Sequence, residues 1–258
     1  MIATVQIGHR EFRIDLSQPQ ETSLSLRGDQ KNPEAWYLDP PRITPVKEAG
    51  WTGQVSAGGA VNFNNISFNP HAHTTHTECV GHITPEFHGL NDSLKTFFFH
   101  AKLISLTPER SGADELLTEK MLSEALGVPN VQALVIRTLP NTIAKRSRHY
   151  SHTNWPYLTE SAARFLRESG IDHLLIDLPS IDKEKDDGKL LAHKAFWNYP
   201  KKARLDATIT ELIYVPTKIP DGEYLLNLCP PSIENDAAPS RPVLYSLSEK
   251  PRNFRPKG

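Results

Sequence analysis

Apolar and polar residues alternate with a period of two at the start of the chain. Residues 4–7 and 11–16, with Gly8 and His9 between them, therefore predict a β-hairpin. From 17 to 51 the pattern gives way to polar and proline-rich sequence, with Arg27-Gly28-Asp29 and Asp39-Pro40-Pro41 as turn signals. Long irregular stretches of this kind form binding loops, and Trp36, Tyr37 and Trp51 are expected either to wall a pocket or to pack beneath the loop. Looser alternation over 61–68 and the run 95–106 predict strands. Residues 114–126 set Leu117, Met121, Leu122 and Ala125 at helical spacing, with Gly127 and Pro129 as stop signals. The apolar run 131–137 predicts a strand covered on both faces. The polar stretch 139–156 reads as a loop. Thr159 predicts the cap of a helix through Ser169, ended by Gly170, and 173–177 predicts another strand. A short helix over 191–199 and strands over 210–215, 223–228 and 243–247 follow, and the charged residues 249–258 are expected to form a loose tail. The helix, strand, helix, strand order in the middle gives the fold class: α/β, strand-rich with a few helices.

The overall charge changes the picture by exclusion. With 29 basic and 30 acidic residues the formal net charge is -1, which supplies neither a basic stripe for nucleic acid nor a polybasic clamp for a membrane. A small-molecule substrate, neutral or anionic, is the expected partner. No apolar run approaches the roughly 20 residues of a membrane helix, and residues 1–10 lack the pattern of a signal peptide, so a cytoplasmic location is expected. Only two cysteines occur, Cys79 and Cys229, which excludes a disulfide scaffold and a cysteine-rich zinc module.

Candidate chemistry concentrates in residues 69–83. Four of the eleven histidines, His71, His73, His76 and His82, fall there together with Glu78 and Cys79. In an extended strand His76 and Glu78 project from one face and Cys79 from the other. Imidazole plus carboxylate suits zinc or manganese. Burying such a cluster without a metal or partner would be unfavourable. Whether His71 or His73 completes the set stays open at this level. His9, His88, His100, His149, His152 and His173 read as surface or satisfied core residues, and Cys79 as an inert buried thiol. Asp177 and Asp182 read as turn residues and supports for ligands.

His76-x-Glu78-x-x-x-His82, preceded by Pro70-His71, resembles the signature of the cyclase-like metal-dependent hydrolases, the family of bacterial kynurenine formamidase and isatin hydrolase. The likeness continues through Asp177, Pro179, Ser180 and Asp182, then Asp221-Gly222, then Asp236-Ala-Ala-Pro239-Ser-Arg241, and so spans about residues 15–244. It implies one compact mixed β/α domain over 1–258, of the swivelling β/β/α type, that pairs as a homodimer. It implies one or two divalent ions, Zn or Mn: the first on His71, His76 and Glu78, the second sharing Glu78 with His193 and Glu211. His82 would be the proton carrier, and the reaction hydrolysis of an amide, formamide, lactam or ester.

Several positions depart from the family's pattern. Its aspartate is Glu78 here, longer by one C–C bond of about 1.5 Å, and one extra residue separates His71 from His76. Val80 and Thr74 replace its proline and glycine, and Leu26 stands where kynurenine formamidase-like members carry an aromatic ahead of the early loop's Gly28-Asp29. A descendant that holds a metal or small ligand without turnover is the alternative these departures raise.

Overall fold

The opening alternation becomes the expected hairpin in a computed structural model that describes residues 1–127 and 130–249. Strands β1 (Ile2–Ile7) and β2 (Arg10–Asp15) pair antiparallel, and Gly8 takes the positive φ of 57° that so tight a turn favours. Next come β3 (Gln20–Glu21), β4 (Arg42–Pro45), β5 (Lys47–Glu48), β6 (Trp51–Thr52) and β7 (Asn64–Ser67). The last four form two small sheets, β4 with β7 and β5 with β6, outside the main one. Trp36 packs edge-on against Trp155 with ring centroids 5.0 Å apart, so it belongs to ordinary packing beneath the loop.

The rest of the chain runs α1 (Pro70–His73), β8 (His76–Glu78), α2 (Leu90–Ser93), β9 (Phe98–Leu106), β10 (Glu109–Ser111), β11 (Asp114–Leu117), α3 (Glu119–Leu126) and β12 (Ala133–Thr138). It continues through β13 (Tyr157–Leu158), α4 (Glu160–Glu168), β14 (His173–Ile176), α5 (Leu191–Trp197), β15 (Thr208–Glu211), β16 (Gly222–Asn227), β17 (Ala237–Pro239), β18 (Val243–Ser246) and β19 (Ser248–Glu249). Nine strands form one sheet in the order β17, β8, β15, β14, β12, β9, β16, β18, β3. Its centre, β15, β14, β12 and β9, is parallel, and its flanks are antiparallel.

The apolar run in the middle of the chain explains how the sheet is covered. All six residues of β12 are buried. Leu134 and Ile136 join a core with Leu122, Leu166 and Phe196 of the three longer helices, while Ala133 and Val135 pack with Phe99, Leu103 and Leu226 on the opposite face. The result is a single compact mixed α/β domain with a curled, strand-rich sheet.

Three expectations are corrected. The helix expected over 114–126 begins only at Glu119: Thr118 caps it through Met121 N–H, and 114–117 instead form β11, turned back on β10 at Gly112 and paired with β13. The strand expected over 210–215 is displaced, because Leu212 takes a φ of +52° and ends β15. Glu249, expected in a loose tail, pairs with Phe12. The stop signal at Pro129 and residues 250–258 lie outside the described residues.

The face to which each strand residue points decides where the histidines go. Val80 lies in the helix-covered core and Cys79 in the opposite one, so His76 and Glu78 share the helix side with Val80. Ile209 of β15 lies in the same helix-side core, which puts Glu211 there too. Glu211 is the direct cross-strand partner of His76, and α5 covers this face.

Candidate metal centre

The five expected ligands arrive from four elements. Asn69 caps α1 through His71 N–H and starts the turn that carries His71. β8 supplies His76 and Glu78, both fully buried, α5 supplies His193, and the end of β15 supplies Glu211. All five, and His82, meet at one point. Glu78 is the hub. Its Oε2 lies 3.0 Å from His71 Nδ1, 3.8 Å from His76 Nε2 and 3.9 Å from His82 Nε2, and its Oε1 lies 3.1 Å from His193 Nε2. The longer acid therefore reaches every histidine of the group. Glu211 stands 3.5 Å from His76 Nε2 and 3.7 Å from His193 Nε2.

The far side of each ligand ring is already engaged. His193 Nδ1 is 2.5 Å from Asp182 Oδ2, His76 Nδ1 is 3.1 Å from the Thr74 carbonyl, and His71 Nε2 is 3.2 Å from Asp236 Oδ2. Metal-binding histidines characteristically donate their second N–H in this way, which leaves the other nitrogen's lone pair free. The freed nitrogens here, His71 Nδ1, His76 Nε2 and His193 Nε2, converge on the carboxylates of Glu78 and Glu211.

Buried polar atoms test whether a cation fits. His76 Nε2 is buried without a hydrogen-bond partner among the described residues, and buried Glu78 Oε2 has only the 3.0 Å ion-pair approach of His71 Nδ1, which lacks hydrogen-bond geometry. Buried orphans of this kind are unfavourable unless something fills the gap between them. Three sets bring one ligand atom each within 4.8 Å of one another: His71, His76 and Glu78; Glu78, His82 and His193, sharing Glu78 with the first; and, on the solvent side, His71, His82 and Asp236. The residues fit one or two divalent ions. His73 takes no part in these sets: its Nδ1 accepts from Asn69 N–H.

The electrostatics favour a cation as well. Burial would raise the Glu78 carboxyl, but the surrounding imidazoles of His82, His193 and His71 hold it well below the usual range. Burial opposes charge on His193, yet Asp182 and Glu78 hold it well above its ordinary value. His71 is likewise pushed up to about 10, Asp236 and Glu78 outweighing burial. The same carboxylates that draw protons onto these histidines would attract a cation, which must displace those protons to reach the ring nitrogens.

The Thr74 carbonyl is a participant the sequence did not reveal, and Asp236 appeared there only within a family-like stretch, with no role in the site. Asp236 reaches the site because β17 pairs with β8, Ala237 standing opposite Glu78, a contact without local signature. The side facing solvent is formed by His71, Asp236 and His82, which are 18%, 25% and 32% exposed. Cys79 is buried on the other face, and burial pushes its thiol up, consistent with an inert residue.

Comparison with known proteins adds the following. A family model described as putative cyclase matches residues 14–183. The kynurenine formamidase of Bacillus cereus is 25% identical over 240 residues, covering 91% of this chain and 97% of that one. An isatin hydrolase bound to the product analogue thioisatinate superposes with a TM-score of 0.66 at 16% identity, covering 90% of this chain and 94% of the other. Isatin hydrolase A from Ralstonia solanacearum gives a TM-score of 0.61 at 14% identity, with 88% and 91% covered. At these identities the two structures establish a shared fold.

Proposed function

The chain belongs to the putative cyclase family, and from that premise we propose that it is a metal-dependent hydrolase of a small amide, formamide, lactam or ester. One observation carries the reading: His76 Nε2 and Glu78 Oε2, both buried and 3.8 Å apart, face each other without a hydrogen bond between them where α1, β8, α5 and β15 meet. His71, His76 and Glu78 would hold one divalent ion, and His193 and Glu211, sharing Glu78, a second. Zinc or manganese suits this set of imidazoles and carboxylates. Such an ion, when bound, acidifies a water and polarises a carbonyl oxygen.

The chain's own residues do the rest. Glu78, fixed by β8 and fully buried, keeps the histidines in register, and Glu211 is steadied by the Ile181 N–H on its Oε1, 2.8 Å away. His82 is the most open of the group and directs Nε2 toward Glu78. It takes the proton of the attacking water and returns it to the leaving nitrogen or oxygen, a task for which imidazole is suited near neutral pH. The relatives' names put N-formylkynurenine and isatin first among substrates to try. Pairing of two copies is part of the proposal, supported by the exposed apolar Ile43, Phe63 and Ile66 on and beside the β4–β7 sheet. No helix among the described residues is long and apolar enough to cross a membrane, and both cysteines are free, which suits the reducing cytoplasm.

Metal analysis combined with hydrolysis assays on N-formylkynurenine, isatin, aryl formamides and aryl esters tests the reading. The expected result is turnover of at least one, abolished by a chelator and restored by zinc or manganese. Stoichiometric metal with no turnover of any would make the chain a binding protein instead.

A further inference from the structure

Asp236 Oδ2 sits between two rings. It is 3.2 Å from His71 Nε2 and 3.4 Å from His82 Nδ1, and the rings are stacked with centroids 4.3 Å apart and planes 27° from parallel. On the opposite edges of those rings, His71 Nδ1 and His82 Nε2 both face Glu78 Oε2, at 3.0 and 3.9 Å. A neutral imidazole carries one N–H, and the hydrogen bond made by one nitrogen decides which role the other plays.

We infer that Asp236 is a positioning residue: one carboxylate oxygen accepts from both rings and so fixes His71 with Nδ1, and His82 with Nε2, as the lone-pair nitrogen turned to the metal centre. For His82 the consequence is functional. Only the tautomer protonated on Nδ1 has an Nε2 able to take a proton from the reacting water.

The backbone holds Asp236 in place independently of its side chain. Its carbonyl accepts from Cys79 N–H at 3.0 Å, and the next residue pairs with Glu78 across the sheet edge. Gly81, immediately before His82, lets the two segments approach: a Cβ there would lie 3.3 Å from Asp236 Cβ. The carboxylate is thus attached to the strand that carries the hub of the site, and it grips one ligand and the proton carrier together.

The rate consequence rests on the hydrolase reading, whereas the tautomer does not, and the test separates them. Zinc-loaded wild-type, Asp236→Ala and Asp236→Asn proteins, labelled with 15N-histidine, are compared by NMR and assayed for zinc content and for hydrolysis of whichever panel substrate the wild type turns over. The inference expects His82 protonated on Nδ1 in the wild type and shifted toward Nε2 in Asp236→Ala. Asp236→Asn, which keeps an accepting oxygen and the side chain's size, should retain the Nδ1 form. Zinc should still load stoichiometrically at excess metal, its affinity in Asp236→Ala weakened about 10- to 100-fold through His71, and kcat for Asp236→Ala should fall about 10- to 100-fold with KM within about twofold. A His82 tautomer identical in all three proteins overturns the inference. So does loss of one equivalent of zinc from both variants, which would make Asp236 a ligand. A wild type without turnover removes the hydrolase reading and leaves the tautomer comparison to decide.

Discussion

Asp182 holds His193 at two points and its neighbour at a third: Oδ2 lies 2.5 Å from the ring Nδ1 and accepts from the His193 backbone N–H at 3.1 Å, while Oδ1 accepts from Ala192 N–H at 2.7 Å. The aspartate both satisfies the first turn of α5 and aims the ring at Glu78. Asp182→Ala should therefore weaken metal binding about 10- to 100-fold and also reduce stability by about 1–2 kcal/mol through the lost cap. Chelator competition measures the first effect and urea unfolding of metal-free protein the second.

His76 and His82 occupy the same cluster but should respond differently. His76→Ala removes a fully buried nitrogen directed at Glu78 and Glu211, and should lose metal and activity together. His82→Ala should keep the metal and lose about 10²- to 10⁴-fold in kcat, the usual contribution of a positioned proton carrier. Metal content and steady-state rates of the two variants, side by side, check this.

Gly81 is where the site depends on a missing side chain. A Cβ at this position would stand 2.2 Å from the His88 carbonyl oxygen, so the backbone must shift to admit it. Gly81→Ala should destabilise the fold by about 1–3 kcal/mol, as overpacking does, and should lower the rate because His82 is the next residue. Urea denaturation and kinetics on the same preparation would show both.

Away from the site, burial lowers the pKa of His173 to about 4, and its Nδ1 lies 2.9 Å from Thr208 Oγ1. Its folded value lies below the unfolded value of about 6.5, so between the two the unfolded chain binds more protons and stability rises with pH. The contribution is complete above about pH 6.5 and is lost as pH falls toward 4, on the order of 3 kcal/mol in all. His173→Leu should flatten this limb when unfolding is measured at pH 5 and pH 8.

How much of this was legible depended on the range of the signal. His76 and Glu78 could be paired from two-residue spacing alone, because a strand's alternation is local, and the fold keeps them on one face. The apolar run Ala133–Ile136 of β12 was legible as well, because a strand covered on both faces shows as a short unbroken apolar stretch. His193 and Glu211 were suggested only by resemblance, since nothing around either announces burial. Helical spacing misled at residues 114–117, where Leu117 fits a helix but Thr118 caps one, and Leu212 ended a strand through a backbone angle its side chain does not signal. Asp236 stood in a family-like stretch, but its place in the site was out of reach because it is set by the pairing of the three-residue edge strand that follows it.

The most direct test of the metal centre is an anomalous-difference map from crystals of the metal-loaded protein. It should show one or two peaks at Glu78, ligated by His71 and His76 and, for a second ion, by His193 and Glu211, with His82 and Asp236 beside them and unligated. A map with no peak at Glu78, or with a peak ligated by His73, would contradict the account.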